Sequence, residues 1–166
     1  MNPVSREGII ETWDRLCELN REQTSSLTKQ FWEEQPALGV YLAACSEGLG
    51  DEAAKSPLID LSVAIWNAMR RAGHQKLKTV SPEALDEAEE ANTRMLEKLE
   101  QGSEIEYSDT VKGFLEGYNQ RELLGLCLEV LMQNDEEQPE LAPDRVGLEL
   151  LWLKTIIDCL DQAAES

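Results

Sequence analysis

Two segments of this sequence carry apolar residues around almost the whole helical circumference, and any fold of the chain has to surround both. One begins at Ser56-Pro57 and holds Leu58, Ile59, Leu61, Val63, Ile65, Trp66 and Met69. The other begins at Pro143-Asp144 and holds Val146, Leu148, Leu150, Leu151, Trp152, Leu153, Ile156, Ile157 and Leu160. A helix that is apolar all round belongs at the centre of a bundle, covered by other helices. The run Leu123, Leu124, Leu126, Cys127, Leu128, Val130, Leu131 has the same character. Periodicity leaves a buried strand open there, but richness in Leu, scarcity of β-branched residues and length favour helix.

The remaining apolar segments read as the cover. Ser81-Pro82-Glu83 is the clearest helix start: a hydroxyl to accept from free N–H groups, a proline suited to the first helical position, and a carboxylate at the positive end of the dipole. Leu85, Ala88, Asn92, Met95 and Leu99 follow at spacings of 3, 4, 3 and 4, one narrow stripe on a peripheral helix running to about Gly102. Ile9, Ile10, Trp13, Leu16 and Cys17 outline an amphipathic helix after Pro3. Leu27, Phe31 and Trp32 suggest a short one, and Leu38, Tyr41, Leu42 and Cys45 a third from Pro36. Val111, Phe114, Leu115 and Tyr118 outline another short helix containing Gly113 and Gly117. No other stretch carries a strand signal. The expected fold is all-α: one globular domain over residues 1–166, a bundle of about seven or eight helices. A chain of this length buries roughly 70% of the surface its unfolded form exposes, so one core suffices.

The order of parts repeats between residues 1–80 and 81–166: a long amphipathic helix, a short helix with Phe, a compact apolar helix, a polar linker, and a long central helix with Trp. Phe31 aligns with Phe114, Gln35 with Gln120, Gly39 with Gly125 and Trp66 with Trp152, at offsets of 83, 85, 86 and 86. Two related four-helix halves would explain this, although helical sequences also align by chance.

Charge narrows the partners. The net charge is −18; residues 1–80 hold 9 basic and 11 acidic side chains, residues 81–166 hold 6 and 22. Such a field repels phosphate backbones and anionic lipid, so nucleic-acid and membrane binding are disfavoured and a basic protein surface is favoured. No apolar run is long enough to span a bilayer, and the first 20 residues carry charges where a signal peptide needs an apolar run, so a cytoplasmic protein is expected. Cys17, Cys45, Cys127 and Cys159 lie far apart among apolar residues, as small buried hydrophobes would in a reducing compartment.

Catalytic constellations are missing. His74 is the single histidine, which removes Glu-x-x-His pairs, zinc clusters and His-based nucleophile activation. Gly48-Leu49-Gly50 lacks the continuation of a phosphate cradle and reads as a turn. The run from Asn134 to Glu140 lacks the alternating oxygen ligands of a calcium loop and reads as a solvated linker. No cofactor is called for, and the sequence leans away from an enzyme.

Two groups remain as candidate binding residues. Arg70, Arg71, His74, Lys76 and Lys78 form a basic cluster at the end of a central helix. They complement the negative end of its dipole, or anchor an acidic ligand, a phosphate, or the acidic half of a second copy in a homodimer. Asp60, Asn67 and Arg71 share one stripe at spacings of 7 and 4, either a thin polar strip or the floor of a pocket between helices. Asn92 interrupts the apolar seam of its helix, where a buried amide fixes register. The favoured reading is an acidic interaction or adaptor module meeting a basic protein surface. The alternatives are a helical binder of a small ligand or divalent metal through carboxylates, and an acidic mimic of nucleic acid.

Overall fold

The computed structural model describes residues 1–50, 56–73, 77–100, 117–137 and 145–165. Within them the chain is an all-α bundle of seven helices: α1 (Arg6–Cys17), α2 (Arg21–Glu34), α3 (Pro36–Leu49), α4 (Leu58–Ala72), α5 (Pro82–Glu100), α6 (Arg121–Glu137) and α7 (Arg145–Glu165). The expected short helix around Val111 and Phe114, together with Gly113, falls outside the described residues.

Local chemistry explains the starts. The Ser5 and Ser81 hydroxyls accept from the Gly8 and Ala84 N–H groups at 3.2 Å each, and Ser56 Oγ accepts from Leu58 N–H at 3.1 Å. Asn20 and Gln23 form a reciprocal capping box, each side chain accepting from the other's backbone N–H. That box starts α2 two turns before its first apolar residue, so the helix expected to be short has 14 residues. At the other end of α3, Gly48 and Leu49 belong to the last helical turn and Gly50 ends it at φ 57°, a left-handed conformation glycine takes without strain. The segment read as an acidic linker begins inside α6, which continues to Glu137.

α4 and α7 pack against each other at the centre, as their apolar circumference requires. α7 also meets α5 and α6, while α4 meets α1, α2 and α3. Leu58, Leu61, Ile65, Trp66 and Met69 of α4 and Leu153, Ile156, Ile157 and Leu160 of α7 are fully buried. Burying each such side chain contributes about 1.5–3 kcal/mol. Their encirclement is incomplete: Ile59 is 38% and Leu148 43% exposed, both in the first turn of their helix. Phe31 of α2 meets Trp66 edge to face, with ring centroids 5.7 Å apart.

The contacts pair across the halves. α1 on α4 matches α5 on α7, α3 on α4 matches α6 on α7, and α1 on α6 matches α5 on α3. The two aligned glutamines make the same connection. Gln35, before α3, accepts from Val80 N–H at 2.9 Å and donates to the Lys78 carbonyl at 3.0 Å. Gln120, before α6, accepts from Val4 N–H at 3.0 Å and donates to the Asn2 carbonyl at 3.5 Å. Each glutamine thus ties down the segment leading into the first helix of the opposite half, Val80-Ser81 for one and Val4-Ser5 for the other. The aligned glycines differ: a Cβ at Gly39 would lie 2.6 Å from the Trp32 ring, whereas one at Gly125 would meet nothing within 4 Å. The helix contacts and the glutamine bonds thus recur between residues 1–80 and 81–166, and the environment of the aligned glycines does not.

Candidate functional site

Carboxylates of the second half occupy three environments. Glu149, Asp158 and Asp161 of α7 are turned inward. Glu149 receives Arg145 Nε at 3.0 Å and the Ser56 hydroxyl at 2.6 Å, with both charged side chains at most 3% exposed. Asp158 receives Lys154 Nζ at 2.6 Å, Asn92 Nδ2 at 3.0 Å and the Tyr118 hydroxyl at 2.7 Å. Asp161 receives Asn119 at 2.9 Å and Gln120 at 2.7 Å. Glu122 and Glu129 of α6 share one cation: Arg6 of α1 reaches Glu122 at 3.7 Å and Glu129 at 3.2 Å.

α5 is the third case. Its buried side holds Leu85, Ala88 and Asn92, and its solvent face holds Glu83, Asp86, Glu87, Glu90 and Glu97, with Glu89 at the edge. Glu90 pairs with Arg94 at 3.1 Å. Glu83, Asp86, Glu87, Glu89 and Glu97 have no cation at ion-pair distance among the described residues. The Glu83 carboxyl is held below the usual carboxylate range by its own backbone N–H and by the Ser81 hydroxyl.

Asn92 sits in the middle of the α5–α7 seam at 3% exposure. It donates to Thr155 Oγ1 at 3.1 Å as well as to Asp158, and it accepts from Lys154 Nζ at 2.6 Å. Lys154 Nζ also lies 4.9 Å from the centre of the Tyr118 ring. A lysine and an aspartate inside a helix interface need this many partners, because an unpaired charge there is costly. Burial, with the Asp158 charge adding to it, pushes the Tyr118 hydroxyl pKa up; burial does the same for Tyr41, with Cys45 and Glu89 adding. The sequence marks Asn92 through its place in an apolar stripe. Lys154 and Asp158, hidden in an apolar run, carry no such signal.

The two candidate groups of the first half come apart. Arg70 is engaged: its guanidinium lies 4.4 Å over the Trp66 ring, donates to Asn67 Oδ1 at 3.4 Å and stands 3.7 Å from Glu34. Lys78 is exposed, and its carbonyl belongs to the Gln35 contact. His74 and Lys76 lie outside the described residues. The stripe Asp60, Asn67, Arg71 borders clefts between α1 and α2. Asp60 lines one of about 250 Å³ with Trp13, Cys17 and Val63; Asn67 and Arg71 line a neighbour of about 390 Å³ with Arg15. Leu16 and Leu27 line both.

No protein-family model, curated protein sequence or solved structure matches the chain. The site is therefore read from its own residues. Cys45, Cys127 and Cys159 are buried and free, whereas Cys17 is exposed and borders the Asp60 cleft, against the expectation that all four are buried. Burial pushes the Cys45, Cys127 and Cys159 thiols up to about 12, which keeps them protonated and unreactive at neutral pH. Among the described residues no three His, Cys, Asp or Glu side chains gather to hold a metal, and no helix is long and apolar enough to cross a membrane.

Proposed function

We propose that the chain is an interaction module that presents the solvent face of α5 to a basic surface of a protein partner in the cytoplasm. The observation that carries this is the row of exposed carboxylates on α5, Glu83, Asp86, Glu87 and Glu97, with no cation at ion-pair distance among the described residues. Glu122 and Glu129 of α6 and Glu149, Asp158 and Asp161 of α7 are engaged by donors of the fold, which sets the face of α5 apart from them. Like charges three and four residues apart cost a helix a few tenths of a kcal/mol per pair, a cost that a basic partner relieves. Such a face speeds and selects the encounter more than it sets affinity.

The test compares the native chain with the combined variant Asp86→Asn, Glu87→Gln, Glu97→Gln in affinity capture from cell extract at low salt. One basic protein held by the native chain, released at moderate salt and not held by the variant, is the expected result. Equal capture by both chains, or capture of chaperones alone, would sink the reading. Displacement of the captured protein by duplex DNA would favour the nucleic-acid mimic.

A further inference from the structure

The cleft beside Arg71 differs from the rest of this acidic surface in gathering the donors of Arg15, Gln23, Asn67 and Arg71; Ser26 and Gln30, whose Nε2 donates to Glu34, line it as well. Asn67 Oδ1 is occupied by Arg70, which leaves the Nδ2 hydrogens of Asn67 without a partner among the described residues. Gln23 Oε1 is occupied by the Asn20 N–H of the capping box, which leaves the Nε2 hydrogens of Gln23 in the same condition. Both residues line the cleft with Arg15 and Arg71, and Leu16, Leu19 and Leu27 supply an apolar wall. Its volume of about 390 Å³ is that of a small-molecule site.

A carboxylate already stands at the cationic end. Glu11 Oε1 lies 2.5 Å from Arg15 Nη2 and 3.9 Å from Arg71 Nη2, so one oxygen is shared by two guanidinium groups. The Glu11 side chain is more than half exposed and is held by nothing else among the described residues, so a ligand oxyanion can replace it. Guanidinium forks favour carboxylate and phosphate alike; the three leucines favour the ligand with an apolar body.

We propose that this cleft binds a small monocarboxylate with an aliphatic body, its carboxylate taking the place of Glu11 between Arg15 and Arg71, and the Asn67 and Gln23 amides donating to it. The site is independent of the α5 face. Titrating ¹⁵N-labelled full-length protein with hexanoate, and separately with inorganic phosphate, reads it directly from the side-chain amide resonances. Hexanoate is expected to shift the Asn67 and Gln23 side-chain signals saturably. Glu11→Gln, which removes the internal competitor, is expected to tighten binding several-fold. Arg71→Ala and Asn67→Asp are expected to weaken it at least ten-fold with the backbone spectrum retained. No saturable shift up to tens of millimolar, equal binding of phosphate, or a Glu11→Gln variant that binds no better would each overturn the proposal.

Discussion

Gln35 and Gln120 do the same work in opposite halves of the molecule. Each is essentially fully buried, at 0% and 1% exposure, and each holds the backbone of a Val-Ser pair that opens a helix in the other half. A buried amide that leaves a backbone N–H unpaired when removed costs about 1–3 kcal/mol. Gln35→Leu and Gln120→Leu are each expected to lower unfolding free energy by about that much in urea titrations. The two clasps share no partner, so the double variant should show the sum to within about 0.5 kcal/mol.

The aligned glycines should behave oppositely. Gly39→Ala pushes a Cβ into the Trp32 ring, and overpacking of this kind costs about 1–3 kcal/mol. Gly125→Ala meets open space inside α6, where Ala is favoured over Gly by about 1 kcal/mol. Thermal unfolding of the two variants should move in opposite directions.

Lys154 is a costly charge to remove. Lys154→Met strips Asp158 and Asn92 of their shared cation in the α5–α7 seam, and breaking a buried pair costs about 3–5 kcal/mol. Arg94→Ala, which breaks an exposed pair on the outer face of α5, should cost about 0.5 kcal/mol or less. Chemical denaturation of both variants gives the comparison.

Thiol titration separates Cys17 from the rest. With an aromatic disulfide reagent at mildly alkaline pH, Cys17 should react at once, and Cys45, Cys127 and Cys159 only as the protein unfolds. Two or more fast thiols in the native protein would contradict the packing described for α3, α6 and α7.

Alkaline pH should destabilise the fold. An unfolded thiol ionises near 8.5 and an unfolded tyrosine near 10. Burial pushes Cys45, Cys127 and Cys159 up to about 12, and raises Tyr118 and Tyr41 as well. Above about pH 9 the unfolded chain therefore binds fewer protons than the folded one, and stability falls as pH rises. The fully buried Cys127 alone contributes a slope of about 1.4 kcal/mol per pH unit between the unfolded and folded values. The urea midpoint should drop between pH 8 and pH 10, and drop less in Cys127→Ala relative to its own value at pH 8.

The apolar segments of α4 and α7 were legible as central helices because their circumference admits no other placement, and the Ser81-Pro82-Glu83 start of α5 was legible from capping chemistry alone. The length of α2 was not, since its first two turns are polar and its start depends on the reciprocity of Asn20 and Gln23. The matched positions of Gln35 and Gln120 were visible in the sequence, but their use was not, because a glutamine bonding to a distant backbone leaves no periodic trace. The basic cluster looked like one group in sequence; burial against Trp66 and Glu34 removes Arg70 from it, while Arg71 turns to the cleft. Free and committed carboxylates are indistinguishable by composition, and only packing separates the face of α5 from Glu149, Asp158 and Asp161.

Hydrogen exchange at two backbone amides tests the paired architecture most directly. Val4 and Val80 both lie outside the helices, so each would exchange rapidly if its glutamine were not holding it. Both amides should be protected in the native chain, with Gln120→Leu exposing Val4 while Val80 stays protected, and Gln35→Leu doing the reverse. Rapid exchange of either amide in the native chain, or loss of protection at both in each variant with the helices still protected, would contradict it.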